Sequence, residues 1–225
     1  MKKWTDRIET PIQAELICYD VNGIQIVFGV TEENELKLFH FSRAPFDAEN
    51  LCRKPDNWWP MEGMREAQIK ESFQLVQVNF SGYNRPYEKH GNKYIVTAPG
   101  FMLKFDSISE ERDENGDVLR IVQKDGVTGA KVESVMQFYD GLSIARVYNT
   151  VTNEGNEDQT LEYISSFSYW GIEKEQKEGI PEFISSDDKM SMVVVHNGWQ
   201  KELTVKKYRF ADLGMAQTQP HNYKR

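Results

Sequence analysis

Cleaving a glycosidic bond takes two carboxylates flanking the scissile oxygen, roughly 5–10 Å apart. The chain carries 35 acidic residues, so close carboxylate pairs would arise in any fold and pairing alone selects none of them. Asp125, Asp140, Asp187 and Asp188 each sit beside Gly, Ser or Lys, the setting of a solvated turn carboxylate. The four histidines, His40, His90, His196 and His221, show neither HxxxH nor HxH spacing, which argues against zinc. His40 and His196 lie within strand patterns and are open to both a core and a surface reading. Ser165-Ser166 and Ser185-Ser186 lack a GxSxG elbow, and neither GxxxxGK[ST] nor GxGxxG occurs. Cys18 and Cys52 form no CxxC pair and read as reduced thiols. No metal and no cofactor is expected, and each enzyme reading lacks its minimum parts.

Aromatic side chains are the other group with chemistry to offer. The chain has 12 Phe, 10 Tyr and 5 Trp. Such rings fill β interiors, and an exposed ring can also pack on the C–H face of a pyranose. Residues 42–70 concentrate this question. They contain Pro45, Pro55 and Pro60, the pair Trp58-Trp59, and no sustained period of 2 or 3.6. A long irregular loop is functional or disordered, and the Trp and Met content argues against disorder.

The elements that must position these residues read as strands. Gln13–Tyr19 alternates, Asn22-Gly23 is a hairpin turn into Ile24–Val30, and Leu36–Phe41 completes a meander. Strand signals resume at Phe73–Phe80, Tyr94–Val96, Phe101–Phe105, Val118–Gln123, Ala130–Tyr139, Leu142–Val151, Gln159–Phe167, Ser191–His196 and Leu203–Tyr208. Polar turns at Asp113–Asp117, Asp140-Gly141 and Asn153–Asn156 separate several of them, and the charged stretch 173–178 reads as a solvated turn. Long alternating strands with short polar turns predict an all-β, antiparallel sandwich. The β domain spans residues 1–215, and 216–225 reads as the start of a linker.

Net charge is −8 without a basic run, which argues against a nucleic-acid partner. No stretch approaches 18 uninterrupted apolar residues, so no membrane span is expected. Met1-Lys2-Lys3-Trp4-Thr5-Asp6 leads into polar sequence rather than the apolar core of a signal peptide, and the expected location is the cytoplasm.

Three stretches carry a family resemblance. Gly63-Met64-Arg65-Glu66-Ala67 is similar to a Gly-Asp-Phe/Tyr-Arg-x-Pro-Ala segment, although Met64 directly precedes Arg65 and the proline is missing. Arg146-Val147-Tyr148-Asn149-Thr150-Val151-Thr152-Asn153-Glu154-Gly155, running into Leu161–Phe167, resembles a sandwich strand pair. Asn197-Gly198-Trp199-Gln200-Lys201-Glu202 resembles a Trp-x-x-Glu segment. In order and spacing these resemble the N-terminal domain of glycoside hydrolase family 36, the bacterial and fungal α-galactosidases. The resemblance implies a β-supersandwich of the galactose-mutarotase-like type ahead of a (β/α)8 barrel. It implies a nucleophile Asp in a barrel Lys-x-Asp-x-Asn motif, which this sequence does not contain, so no catalytic residue is carried over. It further implies a homo-oligomer acting on α-galactosides, in which the long loop reaches a neighbouring subunit's sugar site. On that basis Trp58, Trp59 and Arg65 are candidates for contacting or walling that site. Arg65 would bond sugar hydroxyls with its forked donors; the two Trp rings would stack on sugar or anchor an interface or core. A free-standing carbohydrate-binding or scaffold domain is the alternative, and a sugar epimerase, needing a His base and a carboxylate in one concave face, is a third.

Overall fold

The structure, a computed structural model, describes residues 1–8, 13–48, 73–83, 102–169 and 191–209. The chain divides into two compact units, Met1–Trp170 and Gly171–Arg225.

In the first unit, β1 (Lys2–Ile8), β2 (Ala14–Val21), β3 (Ile24–Thr31) and β4 (Leu36–Ser42) form a four-stranded meander in that order. After β5 (Val78–Phe80), a second four-stranded meander runs β6 (Lys104–Arg112), β7 (Asp117–Lys124), β8 (Ala130–Phe138) and β9 (Ala145–Asn153). β10 (Leu161–Ile164) pairs with β5. Every named element is a strand and every pairing is antiparallel, so the protein is all-β as its alternation predicts. The hairpin at Asn22-Gly23 forms because both residues take positive φ, 52° and 80°, the type I′ geometry whose twist matches the flanking strands.

The two meanders face each other across one core. Tyr19 and Val21 of β2, Ile26 and Phe28 of β3, Leu119 and Ile121 of β7, and Met136 and Phe138 of β8 belong to a single buried cluster. Burying an aliphatic or aromatic side chain of this size contributes about 1.5–3 kcal/mol each. At the edge of that core the Tyr19 hydroxyl donates to Glu110 Oε1 at 3.3 Å. Burial raises the Tyr19 phenol's pKa well above its ordinary value, and the Glu110 charge and hydrogen bond push it the same way.

The first meander is apolar on its other face as well. Ala14, Leu16, Cys18, Val27 and Phe39 form a second cluster there, joined by Phe46 and Phe73. Gly29 permits it: a Cβ at that position would lie 2.1 Å from the Phe39 ring. Residues 73–83 and 160–168 make an antiparallel ribbon beyond the β5–β10 pairing, with Ser165 N donating to Gln77 O at 2.9 Å and Ser168 N to Leu75 O at 3.0 Å. The ribbon meets β4 through Leu38 N to Phe73 O at 2.7 Å and a Lys37–Gln74 bridge. It meets β9 through Asn149 Nδ2, which donates to the carbonyls of Ser165 and Ser166 at 2.6 and 3.0 Å. Because β4 is the last strand of its meander, the ribbon pairs with part of an edge that would otherwise expose unpaired backbone.

Several findings differ from the sequence reading: of the expected strands Phe73–Phe80 and Gln159–Phe167 only Val78–Phe80 and Leu161–Ile164 are regular, and Tyr94–Val96 lies outside the described residues. β1 and residues 106–112 of β6 are strands that carry no sequence signal. β6 alternates poorly because residues 109–112 are exposed on both faces. Leu142 and Ser143 precede β9 in a turn, with Leu142 N bonded to Tyr139 O at 3.0 Å, rather than opening the strand.

In the second unit, β11 (Ser191–His196) and β12 (Thr204–Arg209) form an antiparallel hairpin. Its connection contains Gln200 and Leu203 at φ 61° and 55° and is closed by Leu203 N donating to Asn197 Oδ1 at 3.0 Å.

Candidate functional site

The loop candidates Trp58, Trp59 and Arg65 lie outside the described residues, as do His90, His221, Cys52, Asp187 and Asp188. Ser185 and Ser186 lie outside them too, and the candidates that follow are placed. His40 is buried on β4, its Nε2 donating to Ala44 O at 2.7 Å and its ring tilted against Phe46. His196 is exposed on β11, 3.2 Å from the Tyr208 hydroxyl. Ser165 is a backbone clamp whose Oγ accepts from Gln77 N at 2.9 Å. Asp140 is an exposed turn residue paired with Arg112.

Asp125 is a turn residue as predicted, but it is not solvated. Its side chain accepts from Val127 N at 2.9 Å, Thr128 N at 3.2 Å and Thr128 Oγ1 at 2.6 Å, and the residue is 3% exposed. The local sequence explains this: in Asp-Gly-Val-Thr-Gly the aspartate caps its own turn, and Gly129 closes it at φ +75°.

That turn is one wall of an open cleft of about 510 Å³, lined also by Tyr83, Lys124, Glu154, Glu157 and Gln159. The opposite wall is the turn after β9. Asn153 holds that turn, its Oδ1 accepting from Gly155 N at 2.9 Å and its Nδ2 donating to Glu157 O at 2.7 Å. The two turns lock together by Glu154 N to Gly129 O at 2.8 Å. They touch so closely that a Cβ on Gly129 would lie 2.5 Å from Gly155 Cα.

Charged side chains of the cleft are engaged by neighbours within the protein. Glu154 Oε2 lies 3.4 Å from Lys124 Nζ, and Glu154 Oε1 lies 3.3 Å from Lys131 Nζ. Desolvation pushes the Glu154 carboxyl's pKa up, but hydrogen bonds and charge from Lys131 and Lys124 more than offset that and hold it below the ordinary value. A glycosidase acid needs the reverse shift, a carboxyl kept protonated near neutrality. With the Asp125 oxygens occupied by its own turn, the groups left for a ligand are the Glu157 carboxylate, the Gln159 amide and the half-buried Tyr83 ring. This neutral-to-acidic polar set suits hydroxyl groups. The cleft's size falls in the ordinary range for small-molecule sites.

No family model, no curated protein and no solved structure matches the chain.

Among the described residues, no group of three or more His, Cys, Asp or Glu side chains could hold a metal ion. No helix among them is long and apolar enough to cross a membrane. Sequence reasoning missed the cleft because its walls come from separate turns. It also missed Lys37, which is 2% exposed on β4. The Lys37 ammonium is 3.1 Å from Glu35 Oε2, and Glu35 Oε1 in turn meets Lys104 Nζ at 3.3 Å. The trio works as a clamp between the start of β4 and the start of β6, reinforced by Asn34 Nδ2 donating to Phe105 O at 2.7 Å.

Proposed function

We propose that this chain is the N-terminal module of an α-galactosidase-type glycoside hydrolase of family 36, with the β-supersandwich fold of the galactose-mutarotase-like type. It supports assembly and one wall of a sugar site, while the reacting carboxylates belong to a barrel domain. The observation that carries the reading is the structural use of the family-like strand pair. Asn149, within the first segment, donates to the carbonyls of Ser165 and Ser166 in the second. Asn153 and Gly155 form the Asn-x-Gly turn through the Asn153 Oδ1 bond at 2.9 Å, and a Cβ on Gly155 would lie 3.1 Å from both Asn153 Oδ1 and Thr128 O. The two halves of this strand pair therefore build one joint, and a joint is what a supporting module would retain. Trp199, from the third segment, is 91% exposed, which suits a surface meant to be covered by another domain.

The test is the coding sequence after the Arg225 codon. A (β/α)8 barrel with a Lys-x-Asp-x-Asn strand is expected there, and an immediate stop codon sinks the proposal. A second reading, a free-standing carbohydrate-binding module, is favoured by the Tyr83 cleft. It requires the 225-residue chain itself to bind a galactoside, which titration with methyl α-galactoside measures.

A further inference from the structure

The inner face of the second meander is apolar except at one patch. Ser134 of β8 stands directly opposite Asn149 of β9, and Gln123 of β7 is two residues along, opposite Val132. On β8, Val132 on one side of Ser134 belongs to the apolar cluster under the ribbon, and Met136 on the other side belongs to the main core. The polar patch therefore occupies the seam between two hydrophobic clusters. Ser134 is 1% exposed and Gln123 is 4% exposed.

Three side-chain atoms in the patch have no hydrogen-bond partner among the described residues: Gln123 Oε1, Ser134 Oγ and Asn149 Oδ1. The Asn149 amide cannot be turned round to relieve this, because its Nδ2 already donates to two carbonyls. Diagonal neighbours on one sheet face are within reach of a long side chain such as Gln. The set amounts to two amide oxygens that need donors and one hydroxyl that has a proton to give. A water molecule has the matching complement, two protons to donate and a lone pair to accept with. A metal cation would suit the two amide oxygens, but three neutral oxygens under-coordinate it and leave the hydroxyl proton unused.

We propose that this seam is a built site for one bound water, donating to Gln123 Oε1 and Asn149 Oδ1 and accepting from Ser134 Oγ–H. Buried waters in proteins typically make about three hydrogen bonds to groups otherwise left unsatisfied. Asn149 is also the residue that anchors the ribbon to β9, so the water ties that anchor to β7 and β8.

Oxygen-17 relaxation dispersion on the full chain counts long-residence waters, and a crystal structure locates them. The unsubstituted chain should hold one more such water than the Ser134→Ala, Gln123→Met double variant. Its density should lie about 2.7–3.2 Å from all three atoms. An equal count in both proteins, a seam without density, or density coordinated as a cation overturns the proposal. Should the double variant fail to fold, Ser134→Ala alone decides by sign. A lowered Tm supports a hydroxyl engaged with water, and a raised Tm overturns it, because removing a merely stranded hydroxyl stabilises.

Discussion

Replacing Asp125 with alanine separates a structural carboxylate from a solvated one. The substitution strands Thr128 N and Thr128 Oγ1, both in buried hydrogen bonds, and frees Val127 N, whose residue is 71% exposed. Each buried donor left unsatisfied costs about 1–3 kcal/mol, and a partly exposed bond contributes about 0.5–1.5 kcal/mol. Taken in the lower half of these ranges, the loss is about 3–5 kcal/mol, a large share of the roughly 5–15 kcal/mol by which domains are stable. For a chain of this size each kcal/mol moves Tm by about 2–4 °C, so Asp125→Ala should melt about 6–20 °C lower. Thermal unfolding followed by circular dichroism reads this directly. Asp125→Asn keeps one acceptor oxygen but turns an N–H2 towards the donors, so it should fall between the alanine variant and the unsubstituted chain. A shift below about 2 °C for Asp125→Ala would mean that the carboxylate is solvated after all, and the cleft wall would lose its rigidity argument.

Gly129→Ala should destabilise by about 2–5 kcal/mol, since a Cβ would meet Gly155 at 2.5 Å and φ is +75°, combining left-handed strain with overpacking; urea unfolding measures it. Tm should fall as the pH drops below about 4, the ordinary range of unfolded carboxylates. Asp113 is depressed chiefly by the Asn115 N–H, partly opposed by desolvation and aided by Gly116 and Gln137, and Glu154 is held down by two lysines. Both lose their stabilising contribution as protonation proceeds through their lowered folded values, and Asp113→Asn should flatten that part of the Tm–pH curve. At the alkaline end the raised Tyr19 phenol contributes stability that is lost above about pH 10, where the unfolded tyrosine ionises first; Tyr19→Phe should reduce that loss. The isolated chain should not hydrolyse p-nitrophenyl α-galactoside, and turnover abolished by one point substitution would overturn the assignment of the chemistry to another domain.

The parts of the fold legible in the sequence are those set by local rules. Asn22-Gly23 fixed a hairpin because two consecutive positive φ values need such residues, and β7, β8 and β11 alternate strongly enough to be placed within a residue or two. The illegible parts depend on long-range pairing. β6 is polar along residues 106–112 except for Ile108, which packs on the core, because as the first strand of its meander it has a strand partner on one side only, β7. Lys37 sits where a half-exposed strand would put a surface lysine, but the first meander is covered on both faces, so the alternation rule fails there. The cleft depends on two turns some 25 residues apart in sequence meeting at Gly129 and Gly155. Its one readable signal was Thr128 three residues after Asp125, the spacing at which an aspartate can cap its own turn. Gln123 and Ser134 were also visible as polar residues at inward positions of strongly apolar strands.

The polar side chains so placed bear on what the chain can do. Acid–base catalysis needs a titratable group held away from its resting protonation state, in a cavity, with lone pairs or a proton free for the substrate. Here several polar groups in and around the cleft are committed to the fold. Asp125 is bound to its own turn, Glu154 is ionised between two lysines, and Asn149, Asn153 and Ser165 clamp backbone. Each such commitment fixes the register of an edge strand, a turn or the closing ribbon. Among the described residues, then, polar chemistry is concentrated on holding strands in place.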